Sequence, residues 1–443
     1  MCKVLEKVLE MITPKENIKA HLSALVRKFI TEVKDIVRKY DIPASVELHG
    51  SFARDTWLAD KRDADVFILF NQILSKDEIL EVLEIFEREL KYKTERAYAQ
   101  HPYLRVKISD DFTVDLVPGF RVGKILSAVD RTPLHSEYLK KRLTDELKGE
   151  IRLLKAFLKG INAYGAEIKV EGLSGYACEL LTLYYGSFIR VLEALAENRR
   201  IFIDFSNSWD KKSAFKKFDN PIVLIDPVDP NRNATAALSW GTFNRISLAA
   251  IYFLSEPTIN FFKPRITEYH KRLARFYLSV FPNIVIKLRK KVLIPEDIYW
   301  GQAKRIHRDI VNFIRNQKYF VATSTIIESY DKIYIILFVL NKDKKFDFRI
   351  GPPLSAKENV KSFIKRWANE GLGPIISESR RLSYIIPTSK RIEELLDNFL
   401  KNVKKDPSFE SLNIISAESI ELDNTAVRDF LLSTNPLSIW FSK

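Results

Sequence analysis

The sequence predicts an α+β fold, in which strands and helices occupy largely separate regions of the chain. Three observations support the prediction. Apolar residues near the N-terminus recur at a helical spacing and are followed by short predicted strands, the centre of the chain is mainly helical, and the C-terminal part alternates strands with helices. A chain of 443 residues is too long for one ordinary core. About two to four domains are therefore expected.

The N-terminal region is predicted to be a helix followed by a small α+β unit. Apolar residues recur at a helical spacing within residues 3–40, at Leu22, Val26, Ile30 and Val33. Strands follow in SVELHG and ADVFILF, then a helix after Ser75, then a hairpin made of YLRVKI and FTVDLVPGF.

The remaining elements divide into a helical centre and a mixed C-terminal part. From Ser136 to about Ala274 the pattern is mainly helical. Next come a strand in IVIKLRKKVLI, a helix over 295–316 and strands in YFVATSTII and KIYIILFVL. A helix in KENVKSFIKRWANEG, a strand in LSYIIPT and a helix in KRIEELLDNFLKNV continue this order, which predicts a ferredoxin-like or RRM-like unit with an insertion.

Composition and charge narrow the class of protein. The net charge of +14 favours an anionic partner, of which nucleic acid is the commonest. Two cysteines, Cys2 and Cys178, exclude a disulfide framework and a cysteine zinc site. The N-terminus lacks the apolar core of a signal peptide and the apolar runs are too short to span a bilayer, so a cytoplasmic protein with no membrane contact is expected.

Two aspartates interrupt an otherwise apolar strand, and a third interrupts a later one. Because residues two apart in a strand share a face, Asp63 and Asp65 point together, and Asp115 in FTVDLV stands between two apolar neighbours. If the strands are adjacent, three carboxylates converge, and such oxygen ligands suit Mg²⁺. The Gly50–Ser51 turn upstream could hold phosphate. The alternative is a solvated strand with a chance Asp-x-Asp.

These residues carry a resemblance to a known family. The order GS, DADV and VDLV resembles the nucleotidyltransferase superfamily of polymerase β. The segments GSFARDTWL, AQHPYLRV, INAYGAEIKVEGLSGYACELL, DPVDPNRNATAALS and FRIGPP resemble archaeal (class I) CCA-adding enzymes, tRNA nucleotidyltransferases, over nearly the whole length. The resemblance implies a nucleotidyltransferase-fold catalytic head over 1–140, a helical neck over 141–262, a body over 263–345 and 395–443, and a tail over 346–394.

The resemblance also implies the catalytic and nucleotide-binding roles. The metal ligands of the family match Asp63, Asp65 and Asp115, which would hold two Mg²⁺ ions. At the position of Asp63 the family often has glutamate. Its triphosphate contacts fall on Ser51, Arg54, His135, Lys155 and Tyr164. Bland alternatives are an exposed arginine for Arg54, a snorkelling amine for Lys155, a loop residue for His135 and simple packing for Tyr164. Tyr98 and His101 match a segment near the active site and would contact nucleotide or primer.

The neck arginine with which the family reads the incoming base matches Arg232, with Asn233 a weaker neighbour in that role. A planar fork of donors can satisfy acceptors of cytosine and, slightly shifted, of adenine, whereas uracil and guanine present mismatched edges. Asn231 and Asn233 could otherwise cap the following helix.

A basic stretch in the C-terminal half predicts the grip on RNA. No acidic residue lies between Tyr269 and Pro295, a run that favours phosphate contact over an ordinary solvated surface. Its basic residues are Lys271, Arg272, Arg275, Lys287, Arg289, Lys290 and Lys291.

The implied function is template-independent addition of C, C and A to the 3′ end of tRNA from CTP and ATP, with release of pyrophosphate. The expected partners are the acceptor stem and 3′ end of tRNA and the two nucleotides. Alternatives are a poly(A) or oligo(A) polymerase on the same head and a catalytically inactive RNA-binding protein. The choice of Mg²⁺ over Mn²⁺ and the oligomeric state, with a homodimer among the options, stay open.

Overall fold

The computed structural model describes residues 1–98, 102–122, 130–291, 294–376, 381–388, 391–403 and 408–442. The chain divides into two compact units, Met1–Pro264 and Arg265–Lys443. The finer domain boundaries expected from the sequence stay predictions.

The first part of unit 1 is a sheet with two helices packed on one face. Its elements are α1 (Cys2–Ile12), α2 (Glu16–Lys39), β1 (Ala44–His49), α3 (Gly50–Ala53), β2 (Asp63–Phe70), α4 (Lys76–Glu89), β3 (Lys93–Tyr98), β4 (Pro102–Ser109) and β5 (Phe112–Phe120). The five strands lie in the order β1-β2-β5-β4-β3. Only the β2–β5 pair within this sheet is parallel.

Two details of this part differ from the sequence prediction. The single helix expected over 3–40 is two helices, because the residue before Pro14 is biased towards extended backbone and Thr13 adopts φ −81° and ψ 127°. Strand β3 was not predicted, because its sequence KTERAY, at the edge of the sheet, lacks the apolar face from which a strand is recognised.

The core of this sheet explains which face carries the site. Buried residues of α2 and α4, among them Phe29 and Leu83, form one cluster with Ala64 and Val66 of β2 and Val114 of β5. Side chains alternate across a strand, so the residues between these apolar ones emerge on the opposite face. The helices thereby leave that face of β2 and β5 free for chemistry.

The rest of unit 1 is mainly helical, as expected, but it also contains three short strands that the sequence did not predict. Its elements are α5 (Arg131–Lys140), α6 (Asp145–Gly160), α7 (Gly175–Tyr185), α8 (Phe188–Ala196), β6 (Ile201–Asp204), α9 (Lys211–Lys217), β7 (Ile222–Asp226), β8 (Asp229–Asn233) and α10 (Trp240–Ser255). The strands form a separate sheet in the order β6-β7-β8. Strands of four or five residues are too short to express a period, which is why the sequence pattern missed them.

Unit 2 contains the predicted ferredoxin-like unit with an insertion. Its elements are α11 (Glu268–Val280), β9 (Asn283–Lys290), α12 (Glu296–Asn316), β10 (Val321–Ser329), β11 (Lys332–Val339), β12 (Phe346–Pro353), α13 (Lys357–Trp367), β13 (Leu372–Ile376), β14 (Arg381–Pro387), α14 (Ile392–Val403), β15 (Phe409–Ile415), α15 (Asn424–Thr434) and α16 (Pro436–Trp440). The four-stranded sheet has the order β10-β11-β9-β15 and is antiparallel throughout.

The chain order within that sheet is β-α-β-β-α-β, the ferredoxin-like connection. Strands β12, β13 and β14 form their own sheet in the order β12-β14-β13, inserted between β11 and α14. The strand predicted in LSYIIPT therefore belongs to the insertion, and β15 closes the main sheet instead. Within the described residues, no helix is both long and apolar enough to cross a membrane.

Candidate active site

Adjacent parallel strands bring the predicted carboxylates together. In the β2–β5 register Asp65 lies directly beside Asp115, and Asp63 beside Thr113. Ala64, Val66 and the apolar neighbours of Asp115 are fully buried on the other face, whereas all three aspartates are partly accessible. The sequence placed the three acids on one face on the condition that these strands are adjacent, and the structure meets that condition.

Cationic side chains approach two of these carboxylates. The Lys61 Nζ lies 2.9 Å from Asp63 Oδ2. Arg105, on β4, donates from Nε to one oxygen of Asp115 and from Nη2 to the other, each at 2.9 Å. The carboxylates are therefore held by protein cations, and the described residues contain no group of three or more His, Cys, Asp or Glu side chains poised as a ready metal site.

The chemistry of the three acids nevertheless fits a hard cation. Burial, the Asp63 charge and the Asp115 charge raise the pKa of Asp65 to about 6 despite the opposing charge of Lys61. Asp63 Oδ1 is buried and has no hydrogen-bond partner among the described residues. Mutually repelling carboxylates with an unused oxygen suit Mg²⁺, so the residues fit the divalent metal that the superfamily uses.

The turn before this strand is shaped by one glycine. Gly50 adopts φ +74°, and a Cβ there would lie 1.8 Å from Asp65 Oδ2. Only glycine therefore allows the backbone to pass so close to the carboxylate. Ser51 follows in the single turn α3 and is half-buried.

Two predicted triphosphate contacts, Arg54 and Lys155, meet on one buried acid. Arg54 donates to Glu179 Oε2 from Nε at 3.1 Å, and Lys155 Nζ donates to Glu179 Oε1 at 3.0 Å. Thr56 also donates to Glu179, and Arg54 reaches the Ser136 hydroxyl at 3.0 Å. All these groups are buried. The exposed-arginine alternative for Arg54 and the snorkelling alternative for Lys155 are therefore wrong.

The charges in this cluster are set by each other. Burial alone would raise the pKa of Glu179, but the Lys155 and Arg54 cations outweigh it and lower that pKa to about 2. Glu179 is ionised, and two cations share one anion. The cluster thus joins two basic side chains to one ionised acid, an arrangement suited to an anionic ligand.

A second buried acid, Asp226 at the end of β7, binds both His135 and Arg232. His135 Nε2 lies 2.9 Å from Asp226 Oδ2, and Arg232 Nη1 donates to the same oxygen at 2.6 Å. The Tyr176 hydroxyl donates to Oδ1 at 3.0 Å, and the Val228 amide does so at 3.1 Å. His135 is a buried helix residue rather than the loop histidine of the alternative reading.

Protonation in this network follows from the contacts. Burial opposes ionisation of Asp226, but hydrogen bonds from His135, Val228 and Arg232 lower its pKa to about 2. For His135, burial lowers the pKa, so the imidazole is neutral at pH 7. An ionised carboxylate only accepts hydrogen bonds, and we therefore assign the His135 proton to Nε2.

Two further residues predicted to bind the nucleotide are Tyr164 and Asn233. Tyr164 is half-buried, and a Cβ on Gly175 would lie 2.9 Å from its hydroxyl and 3.7 Å from Lys155 Nζ. Asn233 is 1% exposed, with Oδ1 accepting from Leu224 N and Nδ2 donating to Ile222 O. Its amide is used within the sheet, so a base could not reach it without rearrangement.

The structure contradicts one predicted helix cap, and it leaves the contacts predicted for Tyr98 and His101 as predictions. The proposed helix cap at Asn231 or Asn233 is wrong, because α10 begins at Trp240 and Ser239 caps it. Tyr98 ends β3, and nothing is described of its side chain; His101 lies outside the described residues.

The basic stretch is spread over two elements of unit 2. Lys271, Arg272 and Arg275 lie on α11, and the other four basic residues lie on β9 or directly after it. Arg272, Arg275, Arg289 and Lys291 are exposed. Arg289 approaches Glu410 at 3.3 Å, and Lys290 lies 4.5 Å from the ring centre of Tyr299.

Sequence reasoning missed Glu179, Asp226, Tyr176 and Arg105. The first two had a signal, since Glu179 interrupts the apolar run YACELLTLYY and Asp226 ends the apolar strand IVLID. A lone acid in a buried apolar segment indicates a partner of opposite charge. Nothing in the sequence says which cation that partner is.

Comparisons with known proteins agree along the chain. Family models match for the nucleotidyltransferase domain over residues 26–146, the tRNA nucleotidyltransferase second domain over 149–263 and the CCA-adding enzyme C-terminal domain over 283–405. A solved structure of a cytoplasmic RNA terminal U-transferase has a TM-score of 0.46 and 16% identity over 60% of this chain and 98% of that chain.

Curated relatives are similar over most of their length. A CCA-adding enzyme of Pyrobaculum islandicum is 36% identical over 85% of this chain and 88% of the relative. Those of Methanocaldococcus jannaschii and Saccharolobus shibatae are each 35% identical, over 82% and 86% of this chain and 84% and 89% of the relatives. With the paired carboxylate strands, the three successive domains and this coverage, the chain belongs to the CCA-adding enzymes, a family of tRNA nucleotidyltransferases.

Proposed function

We propose that this chain adds C, C and A to the 3′ end of tRNA from CTP and ATP, without a template and with release of pyrophosphate. The observation that carries the proposal is the register of β2 and β5, which sets Asp65 beside Asp115 next to the Gly50–Ser51 turn. In each cycle the primer 3′ oxygen bonds to the α-phosphorus of the nucleotide. The bond from that phosphorus to the bridging oxygen breaks, and pyrophosphate leaves.

Asp63, Asp65 and Asp115 would hold two Mg²⁺ ions. When bound, the metal supplies charge that favours deprotonation of the attacking hydroxyl and offsets charge on the leaving group. Arg105 engages both oxygens of Asp115 and would have to release at least one of them, whereas Asp63 already has one oxygen without a partner among the described residues. Lys61 and Arg105 would remain as cations at the edge of the site, where phosphate charge accumulates.

The triphosphate is held from two sides of the turn. Ser51 offers a hydroxyl and the adjacent backbone amides, which bind phosphate oxygens without a change of charge. Arg54 and Lys155 also contribute, because Glu179 is a single acid shared between two basic side chains. Because both cations are buried, their field acts through a medium of low dielectric and is screened little by solvent.

Arg232 reads the base. Among the residues that the structure describes, Asp226 is the one acceptor found for its guanidinium, through Nη1. The Nε and Nη2 donors remain for a ligand, and the side chain is 33% exposed. Donors of this kind match acceptors on cytosine and adenine and mismatch the N–H edges of uracil and guanine.

The basic residues of α11 and β9 hold the acceptor stem of tRNA through its phosphates. Such contacts are independent of sequence and depend on salt. We also propose that the protein is a homodimer and is located in the cytoplasm. Light scattering of the purified protein tests the oligomeric state.

The direct test supplies purified protein with tRNA that lacks its CCA end, and with each nucleotide singly and mixed. Products are sequenced. The proposal expects two C and one A, followed by arrest. Continued addition of A from ATP alone would identify a poly(A) or oligo(A) polymerase instead.

A variant set tests the metal ligands. Asp65→Asn should abolish addition while leaving tRNA binding intact in a filter or gel-shift assay. The matched control is Asp111→Asn in the β4–β5 turn, an exposed acid that pairs with Arg62 and should keep full activity. Full activity of D65N would refute the assignment of the carboxylates.

A further inference from the structure

Asp226 is fully buried and accepts hydrogen bonds from four different groups. They are His135 Nε2 and Arg232 Nη1 on Oδ2, at 2.9 and 2.6 Å, and the Tyr176 hydroxyl and the Val228 amide on Oδ1, at 3.0 and 3.1 Å. The Val228 bond lies within the β7–β8 turn, and Arg232 lies on β8. The other two partners come from different elements, His135 from α5 and Tyr176 from α7.

The partners of Asp226 also fix one another. The His135 and Tyr176 rings are stacked, with centroids 3.7 Å apart and an angle of 21° between their planes. The phenol, the imidazole and the carboxylate therefore form one rigid unit in a buried setting. Arg232 is attached to this unit by a charge-assisted hydrogen bond, a class of bond about twice as strong as a neutral one.

The attachment controls where the free donors of Arg232 point. An arginine side chain has many rotamers, and a partly exposed one would sample several of them in the absence of an anchor. Asp226 engages Nη1 and so restricts the plane and the direction of the guanidinium. The Nε and Nη2 edge is then presented in one orientation.

We infer that Asp226 is a positioning and specificity-determining residue, which holds Arg232 in the one orientation that accepts cytosine and adenine and rejects uracil and guanine. The inference rests on the base-reading role proposed for Arg232. A rigid fork leaves buried donors unpaired when a mismatched base enters, which is costly. A mobile fork can turn towards a carbonyl oxygen of uracil, so the penalty and the discrimination both fall.

The same carboxylate oxygen joins the two ends of the nucleotide site. His135 is proposed to face the triphosphate and Arg232 the base, and both bind Asp226 Oδ2. A shift of Arg232 caused by a wrong base therefore acts on His135 through one shared atom. Discrimination is then expressed in both KM and kcat for the wrong nucleotide.

Asp226→Asn tests the inference, because the amide has nearly the same shape but lacks the charge. The assay measures kcat/KM for CTP and for UTP on tRNA that lacks its last two nucleotides. The ratio of CTP to UTP should fall by about ten- to hundredfold, the loss expected for a hydrogen bond between charged groups. The matched control is Asp229→Asn, an acid in the same turn that pairs with Arg131 at 2.9 Å, and it should keep the parent ratio.

A double-variant cycle separates this inference from the function on which it rests. Arg232→Met should lose discrimination, and adding D226N to it should change the CTP to UTP ratio no further. If R232M keeps the parent ratio, the base-reading role of Arg232 is wrong and the inference is overturned with it. If R232M loses the ratio but D226N keeps it, only the inference about Asp226 is overturned.

A milder variant covers the case in which D226N does not fold. Tyr176→Phe removes one hydrogen bond to Oδ1 and leaves the ring that stacks on His135. A fall of several-fold in the CTP to UTP ratio supports the inference. A folded Y176F protein with an unchanged ratio, or one whose only change is a lower melting temperature, indicates that the network is purely structural and overturns it.

Discussion

Replacing Glu179 by glutamine should destabilise unit 1 strongly, although the new side chain fits the same space. Glu179 is 0% exposed and binds Arg54 and Lys155, so the E179Q variant leaves two buried cations without their anion. Removing one partner of a buried ion pair costs about 3–5 kcal/mol.

The pKa of Glu179 gives an independent magnitude. The Lys155 and Arg54 charges, working against burial, lower it from 4.5 to about 2. At about 1.4 kcal/mol per pKa unit, this corresponds to about 3 kcal/mol of stability at neutral pH. Burial lowers the pKa of Lys155, so folding disfavours the charged lysine and this cost offsets part of the stabilisation at Glu179. For a unit of this size, the loss lowers the melting temperature by about 6–12 °C.

The sign of the pH dependence follows from the depressed pKa. The stabilisation by Glu179 is fully present above its unfolded pKa near 4.5 and is lost as pH falls towards the folded value of about 2. The difference in unfolding free energy between parent and E179Q should therefore be constant from about pH 6 to 8 and should narrow below about pH 4.5.

Calorimetry and urea unfolding across this pH range measure both effects. The matched control is Glu197→Gln, because Glu197 lies 4.0 Å from Arg199 with 64% of its side chain exposed and should contribute almost nothing. If E179Q melts with the parent, or if its deficit grows on acidification, the reasoning about buried charge in this cluster is refuted.

Three further predictions follow from single contacts. Gly50→Ala should abolish addition and cost at least about 1–2 kcal/mol, because φ is +74° and its Cβ would strike Asp65; a variant that melts and reacts like the parent would contradict this. Arg105→Met should tighten Mn²⁺ binding several-fold in calorimetry, since the arginine occupies both oxygens of Asp115, and unchanged affinity would argue against that competition. Lys287→Gln should weaken tRNA binding at all sequences and reduce the slope of log K against log salt by about 1, whereas an unchanged slope would remove Lys287 from the interface.

Local periodicity carried the prediction of the fold and of the carboxylates. Asp63 and Asp65 share a face because the strand period is two, a property of the backbone that needs no partner. The β-α-β-β order of unit 2 could be read for the same reason, since each element expresses its own period. The edge strand β3 and the short strands β6 to β8 could not, because too few residues alternate in them.

The sequence could not predict which acidic residues pair with the basic residues of the site. Arg54 and Glu179 are separated by 125 positions, and His135 and Asp226 by 91. No spacing rule links residues so far apart, and only the packing of α3, α5, α6 and α7 and the β7–β8 turn brings them together. Lys155 looked like a lysine at the border of an apolar face, but the fold buries it against an acid from the next helix.

The sequence by itself thus determined which face carries the acids, most of the strand and helix order of the sheet that holds them, the β-α-β-β order that begins the ferredoxin-like unit, and the family to which these motifs are similar. Only the tertiary structure decided how the charges are neutralised: Lys61 and Arg105 on the carboxylates proposed as metal ligands, Arg54 and Lys155 on Glu179, and Arg232 on Asp226. The physical reason is that periodicity is a short-range property of the backbone. Ion pairing in a buried site instead depends on distances of about 3 Å between atoms that the chain brings together only when it is fully folded.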